Sequence, residues 1–231
     1  RLGDYARARQ HLDDGLRVAR ATGRRDVEAL VLLNTASVVH LQGDDAAALS
    51  YANAALDVAR AGSQRDLEAY ARLVVGHAEL GLGRFAAARE AYGTSRELLL
   101  QLQMRRQQML DPTAGLVRVA MAEGRADEAL ALAQPIVEHL EAGLSLDGTE
   151  EPLLIPLTAW LALAAAGDAR APALLAGAHA ELMNQAARIG DPLARQRFLQ
   201  AVPHHRDIVA AWGRTRTAAP GSVSAGPPQG D

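Results

Sequence analysis

A glycine turn that returns at a near-constant interval constrains this chain more than any other feature. It appears as Gly3-Asp4, Gly43-Asp44, Gly83-Arg84, Gly124-Arg125 and Gly167-Asp168, at spacings of 40, 40, 41 and 43. The residues after the turn return with it. Tyr5-Ala6-Arg7-Ala8 matches Phe85-Ala86-Ala87-Ala88, and Ala126-Asp127-Glu128-Ala129 is a looser copy. A second marker keeps the same period: "RRDVEAL" from Arg24 matches "QRDLEAY" from Gln64. Two independent markers with one period define a repeated structural unit.

Each unit reads as two helices. Over 26–41 the residues Val27, Leu30, Val31, Asn34, Val38 and Leu41 fall at three- and four-residue steps, which predicts a helix with that face inward. Gly43 ends it, and Asp44 caps the next helix, which runs to about Arg60 with Ala48, Leu49, Ala52, Ala55, Leu56 and Ala59 inside. Asp66 is expected to cap a further helix. Asp111-Pro112 and Asp191-Pro192 read as starts with Asp at the cap and Pro in the first turn. No segment alternates with period two for long, so no sheet is expected. Nearly half the residues are apolar but only eight are aromatic. A core of Ala, Leu and Val suits close-packed helices. Ala48, Ala88 and Ala129 hold one equivalent position after the turn, where a larger side chain would push the hairpin apart. The expectation is an all-α chain: a right-handed α-solenoid of about five antiparallel hairpins over residues 1–213, in which neighbours bury one another's faces. The Gly, Pro, Ser and Ala composition of 214–231 predicts a disordered tail.

The turns "GDYARA" and "GRFAAA", with Ala36 and Gly76 seven residues before their glycines, resemble the tetratricopeptide repeat (TPR). The unit is longer than that family's usual repeat of about 34 residues, and Leu32 and Arg72 stand where the family has a Trp. The longer unit is similar to repeats of maltose-regulator-like helical domains. At the other end, "RQRFLQAVPHHRDIVAAW", residues 195–212, resembles the closing segment of helical regions in large actinobacterial signalling proteins with an upstream STAND- or AAA-type nucleotide module. Its core is Phe198, Leu199, Val202 and Pro203. These resemblances imply a cytoplasmic, non-catalytic scaffold or sensor region of a larger bacterial signalling or transcription-regulatory ATPase. The alternative is a free-standing adaptor that binds a peptide or helix in its concave groove. The implied partner is a protein, a peptide or other domains of the same parent chain.

The net charge of −3 argues against a nucleic-acid surface. All 24 basic residues are Arg, a usage that fits a GC-rich genome. There is no cysteine and no transmembrane run, and no cofactor, metal or catalytic residue is expected. Gly81-Leu82-Gly83 reads as a helix end plus the repeat turn, without the strand and third glycine of a dinucleotide site. Asp13-Asp14 and Asp44-Asp45 read as exposed or capping groups. His204-His205 are adjacent and are not expected to face the same way, and "MRRQQ" from Met104 reads as a solvated basic loop. The concave groove is the one candidate site. The repeat register places Leu33, Ser37 and His40 of one unit and Tyr70, Leu73 and His77 of the next along it. Core packing is the rival reading for Leu33 and Leu73. With no Lys there, the family's carboxylate clamp is not expected, and a weakly polar groove suits a helix or extended peptide. The chain opens inside a unit, so the second-helix face Ala8, Leu12 and Leu16 is expected to lack the partner its copies have. Much of the parent protein's function is expected upstream.

Overall fold

A computed structural model describes residues 2–218. Its described residues form eleven α-helices, a short 3-10 turn and no strand. In chain order these are α1 (Tyr5–Ala21), α2 (Arg25–Leu41), α3 (Asp45–Ala61), α4 (Arg65–Gly81), α5 (Phe85–Gln101), the turn Arg106–Met109, α6 (Leu110–Ala122), α7 (Ala126–Glu141), α8 (Leu154–Ala165), α9 (Ala171–Ala187), α10 (Pro192–Gln200) and α11 (Pro203–Ala218). Behind α1 stand five hairpins, and successive helices pack on one another. The last helix runs into the expected tail as far as Ala218, and residues 219–231 lie outside the described residues.

The backbone repeats at half the period of the sequence markers. Residues 23, 43, 63, 83 and 103 all have positive φ, each 20 after the last. All five occupy the same place just past a helix end. At Gly43, for example, the amide donates to the His40 carbonyl at 2.8 Å and the Asp44 amide to the Val39 carbonyl at 3.2 Å. This double closure is the Schellman motif. The residue that completes it is also the first residue of the next helix's cap, so three residues reverse the chain. Turns between hairpins are thus the same as turns within them. The sequence showed only the longer period because two of the between-hairpin positions are Ser63 (φ 55°) and Gln103 (φ 53°), which carry the left-handed conformation without glycine.

Capping matches expectation in part. The Asp44 carboxylate accepts from the Ala47 amide at 3.0 Å, and Asp191 from Leu193 at 3.0 Å with Pro192 in the first turn. Asp66 and Asp111 are not caps. The cap before α4 is Gln64, and Asp111 lies one residue inside α6 with its carboxylate turned to another segment. The 24–30 marker has a structural role: Glu28 is 6% exposed and accepts from Arg20 Nε and Arg25 Nη1, both at 2.9 Å. Its copy Glu68 takes Arg60 Nε at 2.9 Å across the next such turn.

The inner face of α2 is not the one its bulky residues suggested. Ala29, Leu32, Leu33, Ala36 and Val39 are buried, while Leu30 is 46% exposed and Asn34 is also exposed. Small residues face the neighbouring helices because helix axes approach only as closely as their side chains allow. The inner face of α3 is the expected one, with Ala48, Ala52, Ala55, Leu56 and Ala59 all buried. Ala48, Ala88 and Ala129 are at most 1% exposed. The core is a row of local clusters. One centres on Leu32, Leu56 and Val75, one on Val117, Ile136 and Ile155, and one on Leu182, Phe198 and Ile208.

The N-terminal turn meets the end of α10. The Tyr5 hydroxyl donates to the Ala201 carbonyl at 3.2 Å, and Arg197 lies 3.8 Å from Asp4. Gly3 is required twice over at this contact. Its φ is 74°, and a Cβ there would stand 2.8 Å from the Arg197 carbonyl oxygen. The half-buried N-terminal turn therefore has a partner that the repeat did not announce.

Candidate functional site

Helices α2 and α4 present one side to a concavity that the later part of the chain fills. The repeat would start a helix soon after Gly143, whose φ is 65°. Instead the segment 142–153 stays non-helical, crosses the groove, and only then enters α8. Two buried contacts hold it. Asp111 accepts from the amides of Glu150 at 2.8 Å and Glu151 at 3.1 Å, and His139 Nε2 lies 3.0 Å from the Ser145 carbonyl. Burial pushes the Asp111 carboxyl up to about 7, against the two amides that favour its charge. The turn between α10 and α11 closes the remaining side with Phe198, Val202, His204 and His205.

What remains is a cavity of about 120 Å³. All six residues read from the sequence as groove-lining are on its wall: Leu33, Ser37, His40, Tyr70, Leu73 and His77. Leu33 and Leu73 are also core residues, 8% and 1% exposed. Joining them are Tyr5, Val74, Glu150, Glu151 and the α10–α11 residues. Among the described residues no Arg lines the cavity. His204 and His205 both reach it, because they occupy the first turn of a helix that begins at its rim. His205 also lies 2.8 Å from the Phe198 carbonyl through Nδ1.

Beneath the wall is a polar floor built on small residues. Tyr92 of α5 is fully buried in a slot between Gly76 of α4 and Gly115 of α6. A Cβ at either glycine would stand 2.6 or 2.4 Å from the ring. The slot brings the Tyr92 hydroxyl 2.7 Å from His77 Nδ1, and Arg118 Nη2 lies 2.7 Å from the same nitrogen. A guanidinium only donates, so Nδ1 accepts and the proton of neutral His77 sits on Nε2. Burial lowers the His77 pKa to about 3 against the upward pull of Glu151, and Arg118 adds to the fall. His77 is therefore neutral near pH 7. Its Nε2 is 3.7 Å from Glu151 Oε2, beyond hydrogen-bond reach.

His77 stacks on His40 with ring centroids 5.6 Å apart. His40 Nδ1 lies 2.5 Å from Asp45 Oδ1, and the Asp45 carboxylate occupies the space a Cβ on Gly81 would take. Asp45 is thus half-buried, whereas Asp13 and Asp14 are exposed and pair with Arg9 and Arg17 on their own helix. Burial raises the Tyr5, Tyr70 and Tyr92 hydroxyls above their usual range, so all three are neutral. Gln108 donates to the Tyr70 oxygen at 2.7 Å, and Arg105 and Arg106 beside it are exposed. Among the described residues no group of His, Asp or Glu could hold a metal ion.

Sequence reasoning missed Tyr92, Arg118, Asp111 and Glu151. A signal existed for one of them: Gly76 and Gly115 stand about one repeat apart in corresponding helices, with the one aromatic of α5's buried face between them. For Asp111 and Glu151 there was none, because the segment 142–153 leaves the repeat.

The family model for the tetratricopeptide repeat matches residues 1–61, the span of the first three helices. No match to the chain was found among curated proteins. Two solved structures share the fold. One is a Rap protein complexed with competence and sporulation factor, with a TM-score of 0.62 and 16% identity over 93% of this chain and 62% of that one. The chain thus spans less than two thirds of that protein's length. The other is BtubC (BKLC) from P. vanneervenii, with a TM-score of 0.57 and 16% identity over 98% of this chain and 95% of that one. No helix among the described residues is long and apolar enough to cross a membrane.

Proposed function

We propose that this chain is a non-catalytic, cytoplasmic protein-interaction scaffold whose concave groove holds a segment of a partner polypeptide. The observation that carries the reading is the cavity itself, an apolar wall of Leu33, Leu73, Val74 and Leu153 over a hydrogen-bonded polar floor. Its volume of about 120 Å³ is that of a side chain or two. The partner therefore inserts side chains while its backbone rides on the rim. The Rap structure, a complex with competence and sporulation factor on a similar fold, supports a binding role for such a fold. The titratable groups here serve structure: Tyr92 and Arg118 orient His77, and Asp111 ties down the segment 142–153. That supports a binding role over a catalytic one.

The resemblance of residues 195–212 to signalling proteins supports a parent in which this region senses a partner for a nucleotide module of a bacterial regulator. Phe198 and Val202 of that motif form one wall of the cavity, which couples the motif to the groove. Selection of displayed random dodecapeptides on the chain tests the groove. Enriched peptides should bind with micromolar affinity and lose at least tenfold on Tyr70→Ala. Binding unchanged by Tyr70→Ala, with no loss on Leu33→Arg either, sinks the assignment.

A further inference from the structure

We infer that the segment 142–153 is an internal ligand, which occupies the groove until the main chain of a partner polypeptide takes its place. This rests on the groove reading and gives that groove its regulation. The segment is gripped by its main chain. Asp111 accepts from two successive amides, of Glu150 at 2.8 Å and of Glu151 at 3.1 Å. Gln107 Nε2 donates to the Asp147 carbonyl at 3.1 Å, and His139 Nε2 donates to the Ser145 carbonyl at 3.0 Å. A carbonyl only accepts, so His139 carries its proton on Nε2. These four bonds come from α6, α7 and the turn before α6, and all four end on backbone atoms of the segment.

Two of the three gripping side chains are buried at a cost. Asp111 is 5% exposed and His139 is 4% exposed, and His139 Nδ1 is buried without a hydrogen-bond partner. A polar group in such a place destabilises the fold unless it is bonded. The bonds to the segment offset that cost. When the segment lifts, Asp111 and His139 lose their partners, so its replacement must offer successive amides and a carbonyl. An extended polypeptide offers both through its main chain, whatever its side chains. Over 142–148 the segment buries little: residues 142–145, 147 and 148 are exposed, and Leu146 packs only partly on the core. A stretch with so few buried contacts opens at a fraction of the global stability. Further along, Pro152 and Leu153 line the cavity, so the path of the segment leads to the space that takes the partner's side chains.

The test uses the full chain with changes that leave the cavity wall alone, since Gln107, Leu146 and Asp147 do not line it. Leu146→Ala loosens the segment. Gln107→Cys with Asp147→Cys, joined by a short reducible bis-maleimide, pins it, and the chain has no cysteine of its own. The probes are the peptides enriched by display on wild type and on Leu146→Ala. In Leu146→Ala, exchange of the Glu150 and Glu151 amides should speed up about tenfold, and the peptides should bind tighter by the same factor, because apparent affinity scales with the open fraction. The cross-linked chain should bind them at least tenfold more weakly than the same chain after reduction. Faster exchange with unchanged affinity overturns the internal ligand, as does binding that the cross-link leaves intact. If melting shows Leu146→Ala to be unfolded, the cross-linked pair decides alone. Peptides that lose affinity on Tyr70→Ala but ignore both changes to the segment overturn the internal ligand and leave the groove standing. Peptides enriched on Leu146→Ala alone support it. Enrichment on neither chain overturns the groove and the internal ligand together.

Discussion

Helices α1–α5 and helices α6–α11 are made of the same hairpin, but they treat the groove in opposite ways. In the first half every helix has 17 residues and every left-handed turn residue follows the last by 20. In the second half helix lengths fall to between 9 and 17 residues, and the segment 142–153 replaces the start of a helix. The regular half creates a concave face, as identical stacked units must. The departures of the irregular half fill that face, first with 142–153 and then with the α10–α11 turn. Regularity thus builds the scaffold, and its breakdown shapes the site.

The sharpest break of this comparison is at the seam. Tyr92→Ala empties the slot between Gly76 and Gly115, whereas the equivalent residue one unit earlier is already Ala52. Chemical denaturation should show a loss of about 3–5 kcal/mol, the range for burying a large aromatic and leaving a cavity. A loss below about 1 kcal/mol would mean that the seam is no more than another repeat interface. The slot also predicts that Gly115→Ala destabilises wild type but costs far less in the Tyr92→Ala background, since the clash is with that ring.

The anchor of the irregular half should show in the pH dependence of stability. The Asp111 pKa is raised to about 7, so from its ordinary 3.8 up to 7 the folded chain holds a proton that the unfolded chain has lost. Its contribution is full below 3.8 and disappears as pH rises to 7. His77 runs the other way. Its pKa falls from 6.5 to about 3, so its contribution is full above 6.5 and disappears as pH falls to 3. Between pH 4 and 6.5 the two slopes oppose each other. Asp111→Asn removes one of them, and stability should then climb with pH more steeply than in wild type by up to about 1.4 kcal/mol per unit. An unchanged slope would place Asp111 outside the titration.

Within the regular half, α1 and α3 hold equivalent faces in unequal surroundings. Ala48, Ala52 and Leu56 are buried, while Ala8, Leu12 and Leu16 are half-buried and Val18 is 57% exposed. Amide exchange over residues 10–20 should be about tenfold faster than over 50–60, while the turn at Tyr5, tied to Ala201, is slower than its neighbours. Uniform protection along both helices would contradict this. The smallest effect concerns the turns. Ser63→Gly relieves a left-handed residue and should stabilise by about 0.5–1 kcal/mol, whereas Gly43→Ala should cost about the same. Equal and opposite shifts in thermal denaturation would show that turns within and between hairpins are interchangeable.

Legibility followed the repeat. The pairing of helices, the turn glycines and the three alanines were readable because each recurs, and recurrence needs only local chemistry. All six groove positions could be placed on one side of α2 and α4 for the same reason, since the two helices are register copies. The inner face of α2 was misread because bulky Val and Leu residues were taken as the core signal. In close-packed hairpins the alanines carry that signal.

The sequence by itself determined an all-helical stack of hairpins, because helix propensity, the 3.6-residue pattern and the left-handed turn positions are properties of short stretches. Only the tertiary structure decided what the stack encloses. The partners of His77 come from α5 and α6, Glu151 comes from the segment that abandons the repeat, and the last wall comes from the α10–α11 hairpin at the far end of the chain. The positions of those groups depend on the accumulated rotation between successive units and on the buried Asp111 that holds one strand of chain across the opening. Neither leaves a periodic mark in the sequence.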